Sequence, residues 1–141
     1  MTYELYPWLW KCRPFTVTDL AIGKWVGFCY IIHNHDNDKR YIGMKNFYFK
    51  RGKKKAPSDW PTYYGSNKAL QEDVKRLGPE CFTRTIVSLH TQKLSMRYSE
   101  KELIFQLRAI ESPDYYNLSI DGRYQRLNRT QSIYDEVTRD D

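Results

Sequence analysis

Apolar positions along the chain predict a hairpin of two strands around residue 36. Residues 25–33 are apolar or β-branched on both alternating faces, which is typical of a strand covered on both sides. A dense cluster of turn formers follows at 34–38, and residues 39–43 resume a short strand that ends at Gly43. We therefore expect the first strand to lie at the centre of a sheet, with the second strand beside it.

Two helices and a third strand are predicted further along. Ser66 is a suitable N-cap for a helix over 67–77, where apolar residues recur at i, i+4 and i+7. The alternation over 81–90 predicts the third strand. The longest helix is predicted over 95–110, with Glu102 beside an apolar stripe on a face shared with Tyr98 and Phe105.

Two segments lack a regular pattern. Residues 44–65 are predicted to form a long loop, because Pro57 and Pro61 oppose regular structure there. Residues 1–24 are rich in aromatic side chains and are interrupted by Pro7 and Pro14, which favours an extended lead-in packed over the core. The chain thus divides into this lead-in (1–24), one domain (25–120) and a polar tail (121–141).

The positive charge of the chain is local. The net charge is +6, and eight lysines and arginines with no acidic residue among them lie between Lys39 and Lys55, so the rest of the chain carries −2. Such a patch indicates a polyanionic partner, nucleic acid before membrane, although a charge run is also typical of a solvated loop. The aromatic residues interleaved with it either stack on bases or pack under the loop, and packing is the more ordinary use.

Several classes of site find no support in the residues. Three widely spaced cysteines without a CxxC pair indicate neither a disulfide framework nor a cysteine zinc site, and they fit a reducing compartment. His33 and His35 lie at a strand end and turn, where solvated histidines are ordinary. No apolar stretch is long enough to span a membrane, and the start lacks a signal-peptide layout, so we expect a soluble, cytoplasmic protein. The residues alone favour a basic α/β nucleic-acid binder and leave its mechanism open.

The order and spacing of five residues are informative: two tyrosines, an arginine, a glutamate and an asparagine. Tyr41, in a Tyr-Ile-Gly segment, lies eleven residues after Tyr30 in a Gly-Phe-Cys-Tyr-Ile-Ile segment, and Arg51 follows ten residues later. Glu102 precedes Asn117 by fifteen residues. This order resembles the signature of the GIY-YIG nuclease family over residues 27–118. The resemblance implies an α/β (α+β) fold, with a three-stranded antiparallel sheet flanked by helices and a basic loop inserted after the second strand.

The resemblance also implies a role for each residue. Glu102 would hold one divalent ion, Mg²⁺ with Mn²⁺ as a substitute, which suits a single carboxylate with waters and phosphate oxygens. Tyr30, its pKa lowered by neighbouring cations, would deprotonate the attacking water directly or through Tyr41. Arg51 would clamp the scissile phosphate, and Asn117 would orient Glu102 or the loop around it.

One residue departs from the family pattern. Many members have a histidine about one helical turn after the arginine, and Lys55 stands there in this chain. If that histidine relays a proton, then Lys55, Tyr63 or Tyr64 must replace it, or Tyr30 works without help.

The expected partner is double-stranded DNA, with no membrane involved. The residues expected to bind it are basic or aromatic members of 44–65, namely Lys45, Lys50, Lys53, Lys54, Lys55, Tyr63 and Tyr64. Only 24 residues follow Asn117, so sequence recognition must come from 44–65, the tail, a homodimer on DNA or a partner protein.

Three functions remain open. The leading hypothesis is a metal-dependent DNA endonuclease that hydrolyses phosphodiester bonds, and the insertion at 60–66 resembles freestanding homing-type members carried by phages, which would place it in the host cytoplasm. The alternative is a nucleic-acid-binding module on the same fold without cleavage. A third reading, an interaction protein that blocks a host factor, rests only on the suspected phage origin.

Overall fold

The computed structural model describes residues 5–120 and 124–125, without the side chains of Arg51, Ile120, Tyr124 and Gln125. Its strands are β1 (Leu9–Trp10), β2 (Arg13–Pro14), β3 (Gly27–Asn34), β4 (Arg40–Asn46), β5 (Tyr48–Arg51), β6 (Lys54–Pro57), β7 (Phe82–His90), β8 (Ser119–Ile120) and β9 (Tyr124–Gln125). Its α-helices are α1 (Val17–Gly23), α2 (Lys68–Leu77) and α3 (Lys93–Gln106). The rest of the predicted tail, 121–123 and 126–141, lies outside the described residues.

The main sheet has five strands in the order β2-β1-β7-β3-β4. Strand β3 pairs antiparallel with β4 on one side and with β7 on the other, so the predicted hairpin and the central position of its first strand are confirmed. The α/β (α+β) fold class is confirmed as well, and its three antiparallel strands are extended by β1, which runs parallel to β7, and by β2. A strand of two residues is too short to show a periodic pattern in the sequence, so β1 and β2 were predicted only as part of the extended lead-in.

Two apolar clusters explain why β3 is apolar on both faces. Phe28, Tyr30 and Ile32 are buried in a cluster that also contains Trp8 from the N-terminal segment. On the other side of the sheet, Ile42 on β4 and Ile31 on β3 pack in a second cluster, to which Ile104 of α3 also belongs. A strand that contributes to both clusters is held firmly, which fixes the side chains along it.

The basic segment is not one long loop. Strands β5 and β6 pair antiparallel through four residue pairs and form a separate hairpin. Gly52, with φ of 63°, takes the first central position of its two-residue turn, where a type II′ turn requires positive φ. Pro57 is the last residue of β6, and both strands of this two-stranded sheet are edge strands, where proline is tolerated. The prediction of irregular structure was wrong because Pro57 ends a strand instead of interrupting one.

The ends of two helices differ from the predicted ones. Asn67, not Ser66, caps α2, since its side chain accepts a hydrogen bond of 2.9 Å from the backbone N–H of Leu70. Helix α3 ends four residues earlier than predicted, and a left-handed residue, Arg108 with φ of 54°, lies in the turns that follow. Among the described residues no helix is long and apolar enough to cross a membrane.

The packed face of α3 also differs from the prediction. Its buried residues are Met96 and Ile104, eight residues apart along one helix face. Tyr98 and Phe105, which were expected to border the apolar stripe, are 67% and 59% exposed. Ile104 joins the second cluster, which also contains Ala109 and Ile110. Glu100 lies midway between Met96 and Ile104 on this inward face.

Candidate active site

Tyr30 and Tyr41 meet across the β3–β4 hairpin. In the register of the two strands, Tyr30 lies opposite Gly43 and Ile32 lies opposite Tyr41. The two tyrosines are therefore diagonal neighbours on one face, and their ring centroids are 6.2 Å apart. Tyr30 is 1% exposed, and the Tyr41 hydroxyl lies 3.3 Å from Ser66 Oγ. The hairpin thus brings both phenols together, as the spacing of the motif predicted.

Gly43 has no side chain because the Tyr30 ring occupies the space above it. A Cβ added to Gly43 would collide with the hydroxyl and the Cζ atom of Tyr30. The backbone of Gly43 is therefore the surface against which the Tyr30 phenol rests. This contact gives the glycine of the Tyr-Ile-Gly segment a steric role in setting the height of the phenol over the sheet.

Gly43→Ala is expected to lower the free energy of unfolding by about 3 kcal/mol, since an extra methyl in a packed site forces its neighbours to move. Gly52→Ala is the comparison: its Cβ would meet nothing within 4 Å, although its φ is positive. We expect it to cost only about 1 kcal/mol of backbone strain. Urea unfolding measures both, and equal losses in the two variants would contradict the steric role.

A third tyrosine, Tyr63, completes the cluster. Its ring lies edge-on to Tyr30 with centroids 6.2 Å apart. The ammonium of Lys45 sits 3.9 Å from the centroid of the Tyr63 ring, where a cation is attracted by the ring face. Of the residues considered as replacements for the missing histidine, Tyr63 is the one in contact with Tyr30.

Lys45 differs from the other basic residues expected to bind nucleic acid. Its side chain is 14% exposed and forms an ion pair of 2.6 Å with Asp59. A hydrogen bond from Lys45 and its positive charge hold the pKa of Asp59 below its usual value. Lys45 is thereby fixed over Tyr63 between two partners. This geometry suits a residue that positions Tyr63 better than one that reaches out to a phosphate.

Arg84 holds the segment that carries Tyr63, and sequence reasoning missed it. It is 3% exposed, and its guanidinium donates hydrogen bonds to three carbonyl oxygens, those of Tyr63 at 2.7 Å, Tyr6 at 2.7 Å and Pro61 at 3.0 Å. Burial lowers the pKa of Arg84 to about 10. The signal was present in the sequence: residues 82, 84 and 86 of β7 share a face, and the outer two are the apolar Phe82 and Ile86.

Aromatic rings cover the guanidinium of Arg84 on two sides. Its Cζ atom lies 4.5 Å from the ring centroid of Trp8 and 4.3 Å from that of Tyr64. Tyr64 therefore packs on Arg84 and, edge-on at 6.3 Å, on Phe82. This packing agrees with the ordinary use of the aromatic residues in this region.

Glu100 and Glu102 lie on different sides of α3. Glu100 is half-buried between Met96 and Ile104, and its negative charge adds to burial, the main cause, in raising the pKa values of both Tyr30 and Tyr41. Glu102 is exposed, and two residues of helix turn it about 200° away from Glu100. Glu100 is therefore the glutamate of α3 whose charge acts on the pKa values of the two motif tyrosines. The spacing to Asn117 favoured Glu102, and the apolar pattern of α3 does not by itself distinguish the two glutamates.

The expectation that cations lower the pKa of Tyr30 is wrong for this structure. Burial is the main cause of a pKa well above the ordinary value, and the phenols of Tyr41 and Tyr63 and the charge of Glu100 raise it further. Burial also raises the pKa of Tyr41, although the hydrogen bond with Ser66 works in the opposite direction. Both phenols therefore hold their protons at neutral pH in the protein as described.

The side chain of Asn117 is hydrogen-bonded to β4, the strand that carries the Tyr-Ile-Gly segment. It is 4% exposed, its side-chain oxygen accepts a hydrogen bond of 2.9 Å from the backbone N–H of Ile42, and its amide donates one of 2.8 Å to the carbonyl of Ile42. Ile42 lies between Tyr41 and Gly43, so this pair of bonds fixes the backbone of the Tyr-Ile-Gly segment from the open edge of β4. The predicted action of Asn117 on the glutamate stays a prediction.

The basic residues expected to bind nucleic acid lie mostly on the β5–β6 hairpin. Lys50, Lys53, Lys54 and Lys55 are all exposed. Lys55 places its ammonium 4.4 Å from the ring centroid of Tyr48. The backbone of Arg51 pairs with Lys54 at the end of β5, and its side chain lies outside what the structure describes.

The donor set of the site suits a hard cation. Among the residues that the structure describes, no group of three or more His, Cys, Asp and Glu side chains converges. His33 and His35 are engaged within the protein, with Asp38 at 3.0 Å and Thr83 at 2.6 Å respectively. One carboxylate such as Glu100 suffices for Mg²⁺, which keeps several waters and takes further oxygen ligands from a phosphate.

A match to one known protein family includes the cluster of Tyr30, Tyr41 and Tyr63. Residues 8–120 match a family model described as "Putative endonuclease segE, GIY-YIG domain". No curated protein and no solved structure matches the chain. The matched range begins at Trp8, whose ring centroid lies 5.0 Å from that of Tyr30, and it extends beyond Asn117.

Proposed function

The chain belongs to the GIY-YIG endonuclease family, and from that premise we propose that it is a metal-dependent endonuclease that hydrolyses phosphodiester bonds in double-stranded DNA. One observation carries the proposal. The phenols of Tyr30, Tyr41 and Tyr63 converge within the matched domain, and the charge of Glu100 acts on the first two.

We assign Glu100 as the carboxylate that holds the ion, in the place expected for Glu102. Its half-buried position on the inward side of α3 and the effect of its charge on the pKa values of Tyr30 and Tyr41 support this assignment, whereas Glu102 is exposed. When bound, Mg²⁺ supplies positive charge that stabilises the phosphate and the leaving oxygen. Mn²⁺ is expected to substitute, because it accepts the same oxygen ligands.

Tyr30 is the proposed general base. A phenolate with a raised pKa is a strong base that is only slightly populated at neutral pH. Tyr63 and Tyr41 flank the Tyr30 phenol, and the edge-on ring of Tyr63 together with the backbone of Gly43 fixes its position. Lys45, held by Asp59, fixes Tyr63 in turn. The water deprotonated by Tyr30 attacks the phosphorus, and the sugar oxygen leaves.

The proposed role of Arg51 is to clamp the scissile phosphate. A planar guanidinium binds two phosphate oxygens at once, which a lysine ammonium does poorly. The exposed lysines of the β5–β6 hairpin would bind the neighbouring backbone of the duplex.

Cleavage of duplex DNA in Mg²⁺ or Mn²⁺ tests the function, with Arg51→Ala and Arg51→Lys beside the wild type. Arg51→Ala removes a positive charge that is positioned against the phosphate, so it should lower the cleavage rate about a hundredfold. The rate of Arg51→Lys should lie between those of Arg51→Ala and the wild type. If the wild type is as inert as both variants, the endonuclease proposal is lost and the binding module without cleavage becomes the better account.

The cleavage rate is expected to rise with pH. The active form of Tyr30 is the deprotonated one, and its raised pKa keeps that form a minority up to alkaline pH. The rate should therefore increase about tenfold for each pH unit from about 7 to 9. Single-turnover rates at fixed ionic strength measure the slope, and Tyr30→Phe should flatten it. A wild-type rate that is constant or falls over this range contradicts Tyr30 as the base.

We further propose a homing-type role in a phage, with recognition by a homodimer or by residues 44–65. The likeness of the 60–66 insertion to freestanding homing-type members supports the role. Sedimentation of the protein with and without a duplex would detect the homodimer, and a monomer in both states would exclude it.

A further inference from the structure

Phe49 differs from the other aromatic residues of the basic segment 44–65. The segment has six aromatic residues, and five belong to the core cluster around Trp8 or pack against it, namely Phe47, Tyr48, Trp60, Tyr63 and Tyr64. Phe49 is the sixth, and it is 43% exposed. A ring that the protein leaves partly in water has apolar area that a ligand can still bury. Phe49 is therefore the aromatic residue of this segment that is available to a ligand.

The β5–β6 hairpin holds Phe49 on its solvent side. Successive residues of a strand alternate between its two faces, so Phe49 lies on the face opposite Tyr48, which packs against the core cluster. The same alternation puts positions 49 and 51 on one face of β5, and position 51 carries the proposed phosphate clamp. The exposed ring and the clamp position thus share one face of the hairpin.

Phe49 also lies at the edge of the tyrosine cluster. The ammonium of Lys45 is 5.7 Å from the centroid of the Phe49 ring and 3.9 Å from that of the Tyr63 ring. The Tyr63 ring is in turn edge-on to Tyr30, with centroids 6.2 Å apart. Phe49 is therefore next to the proposed catalytic groups, and a ligand that covers it lies beside them.

The charges around Phe49 select the kind of ligand. Lys50 and Lys54 are exposed, and no acidic residue occurs between Lys39 and Lys55. An apolar surface of a second copy or of another protein that covered Phe49 would also remove these ammonium groups from water without a counter-charge, which is costly. A nucleic acid brings phosphates to the cations and the flat face of a base to the ring.

We propose that the Phe49 ring contacts a base step beside the scissile phosphate and partly unstacks it. That the nucleic acid is duplex DNA rests on the proposed function. Apolar side chains that wedge against a base step unstack it most easily where the step is deformable, as pyrimidine–purine steps are. Phe49 consequently supplies a preference for deformable steps, whereas the exposed lysines supply affinity without sequence preference.

A duplex with one central mismatch, compared with the matched duplex, tests the proposal. The mismatch lowers the cost of unstacking, so the wild type should bind the mismatched duplex about tenfold more tightly in EDTA, as measured by fluorescence anisotropy. Phe49→Ala should bind the two duplexes equally. Its affinity should keep the salt dependence of the wild type, because no charge is removed. A 2-aminopurine beside the mismatch should be brighter with saturating wild type than with saturating Phe49→Ala.

Three further variants serve as controls. Phe49→Tyr keeps the ring and should keep most of the preference. Phe105→Ala removes a phenylalanine that is 59% exposed on α3 and should keep all of it. Phe49→Thr, whose β-branched side chain suits a strand, replaces the alanine variant if circular dichroism shows that the latter is unfolded.

Several results would overturn the proposal. They are a wild type that binds both duplexes equally, a full preference or equal 2-aminopurine brightness in Phe49→Ala, and an equal loss of preference in Phe49→Tyr or Phe105→Ala. Self-association of the wild type without DNA that Phe49→Ala abolishes would also overturn it, in favour of a second copy on the ring.

The base contact and the cleavage activity fail separately. If the wild type prefers the mismatched duplex through Phe49 but never cuts DNA in Mg²⁺, the endonuclease proposal fails and the base contact stands. If the wild type cuts and Phe49→Ala keeps the full preference, the base contact fails and the endonuclease proposal stands.

Discussion

Glu100→Gln is expected to lower the single-turnover cleavage rate about a thousandfold, while Glu102→Gln cleaves like wild type. Glutamine keeps the size of the side chain and removes the charge that would hold the ion. Metal-ion stabilisation of the phosphate is worth several kcal/mol, and about 4 kcal/mol corresponds to that change in rate. Glu100 is half-buried on the inward face of α3 and its charge reaches Tyr30, whereas Glu102 is exposed.

The two variants control for each other, since both remove one negative charge from the same helix. Rates are measured at saturating Mg²⁺ and again over an Mg²⁺ titration, with circular dichroism as a check that both proteins are folded. Loss of activity in Glu102→Gln with wild-type activity in Glu100→Gln would restore the assignment made from the spacing to Asn117.

Replacement of Arg84 is expected to cause the largest loss of stability. Arg84→Ala leaves three carbonyl oxygens without their donor, those of Tyr6, Pro61 and Tyr63, and it removes a cation covered by two rings. An unsatisfied buried acceptor costs about 1–3 kcal/mol. Some of the three will regain water, so we expect the free energy of unfolding to fall by about 3–5 kcal/mol.

Urea unfolding measures the loss, and Arg84→Lys keeps the experiment informative if the alanine variant does not fold. Lysine retains the charge but not the planar fork, so it should recover only part of the stability. Arg76→Ala, an exposed arginine paired with Asp73 on α2, should leave the unfolding midpoint near that of wild type. Equal midpoints for Arg84→Lys and wild type would show that the three carbonyl contacts contribute little.

The sequence predicted the parts of the site that depend on regular alternation. Strands β3 and β4 have long periodic patterns, and their hairpin register follows from which faces are apolar, so the meeting of Tyr30 and Tyr41 was foreseeable. The tie between Asn117 and Ile42 was not, because it links residues 75 apart through side-chain hydrogen bonds that leave no periodicity.

The choice between Glu100 and Glu102 shows a different limit. Helix α3 has exposed apolar residues on its outer side, Leu94 and Tyr98 among them, so its apolar pattern does not single out the packed face. The packed face of α3 is decided only by where the sheet lies against the helix, and that position is a property of the tertiary structure. The raised pKa of Tyr30 has the same origin, since burial dominates it and the nearby sequence suggested cations.

The most direct test of the central claim is cleavage of a defined duplex by the wild type in Mg²⁺ and in excess EDTA, with mapped ends. The Tyr30→Phe/Glu100→Gln double variant, purified in parallel, controls for contaminating nucleases. We predict cutting at discrete positions by wild type in Mg²⁺, no cutting once the ion is chelated, recovery when Mg²⁺ is restored, and none by the double variant. Cutting that persists in EDTA, or that the double variant performs equally well, would contradict a metal-dependent site built on Tyr30 and Glu100.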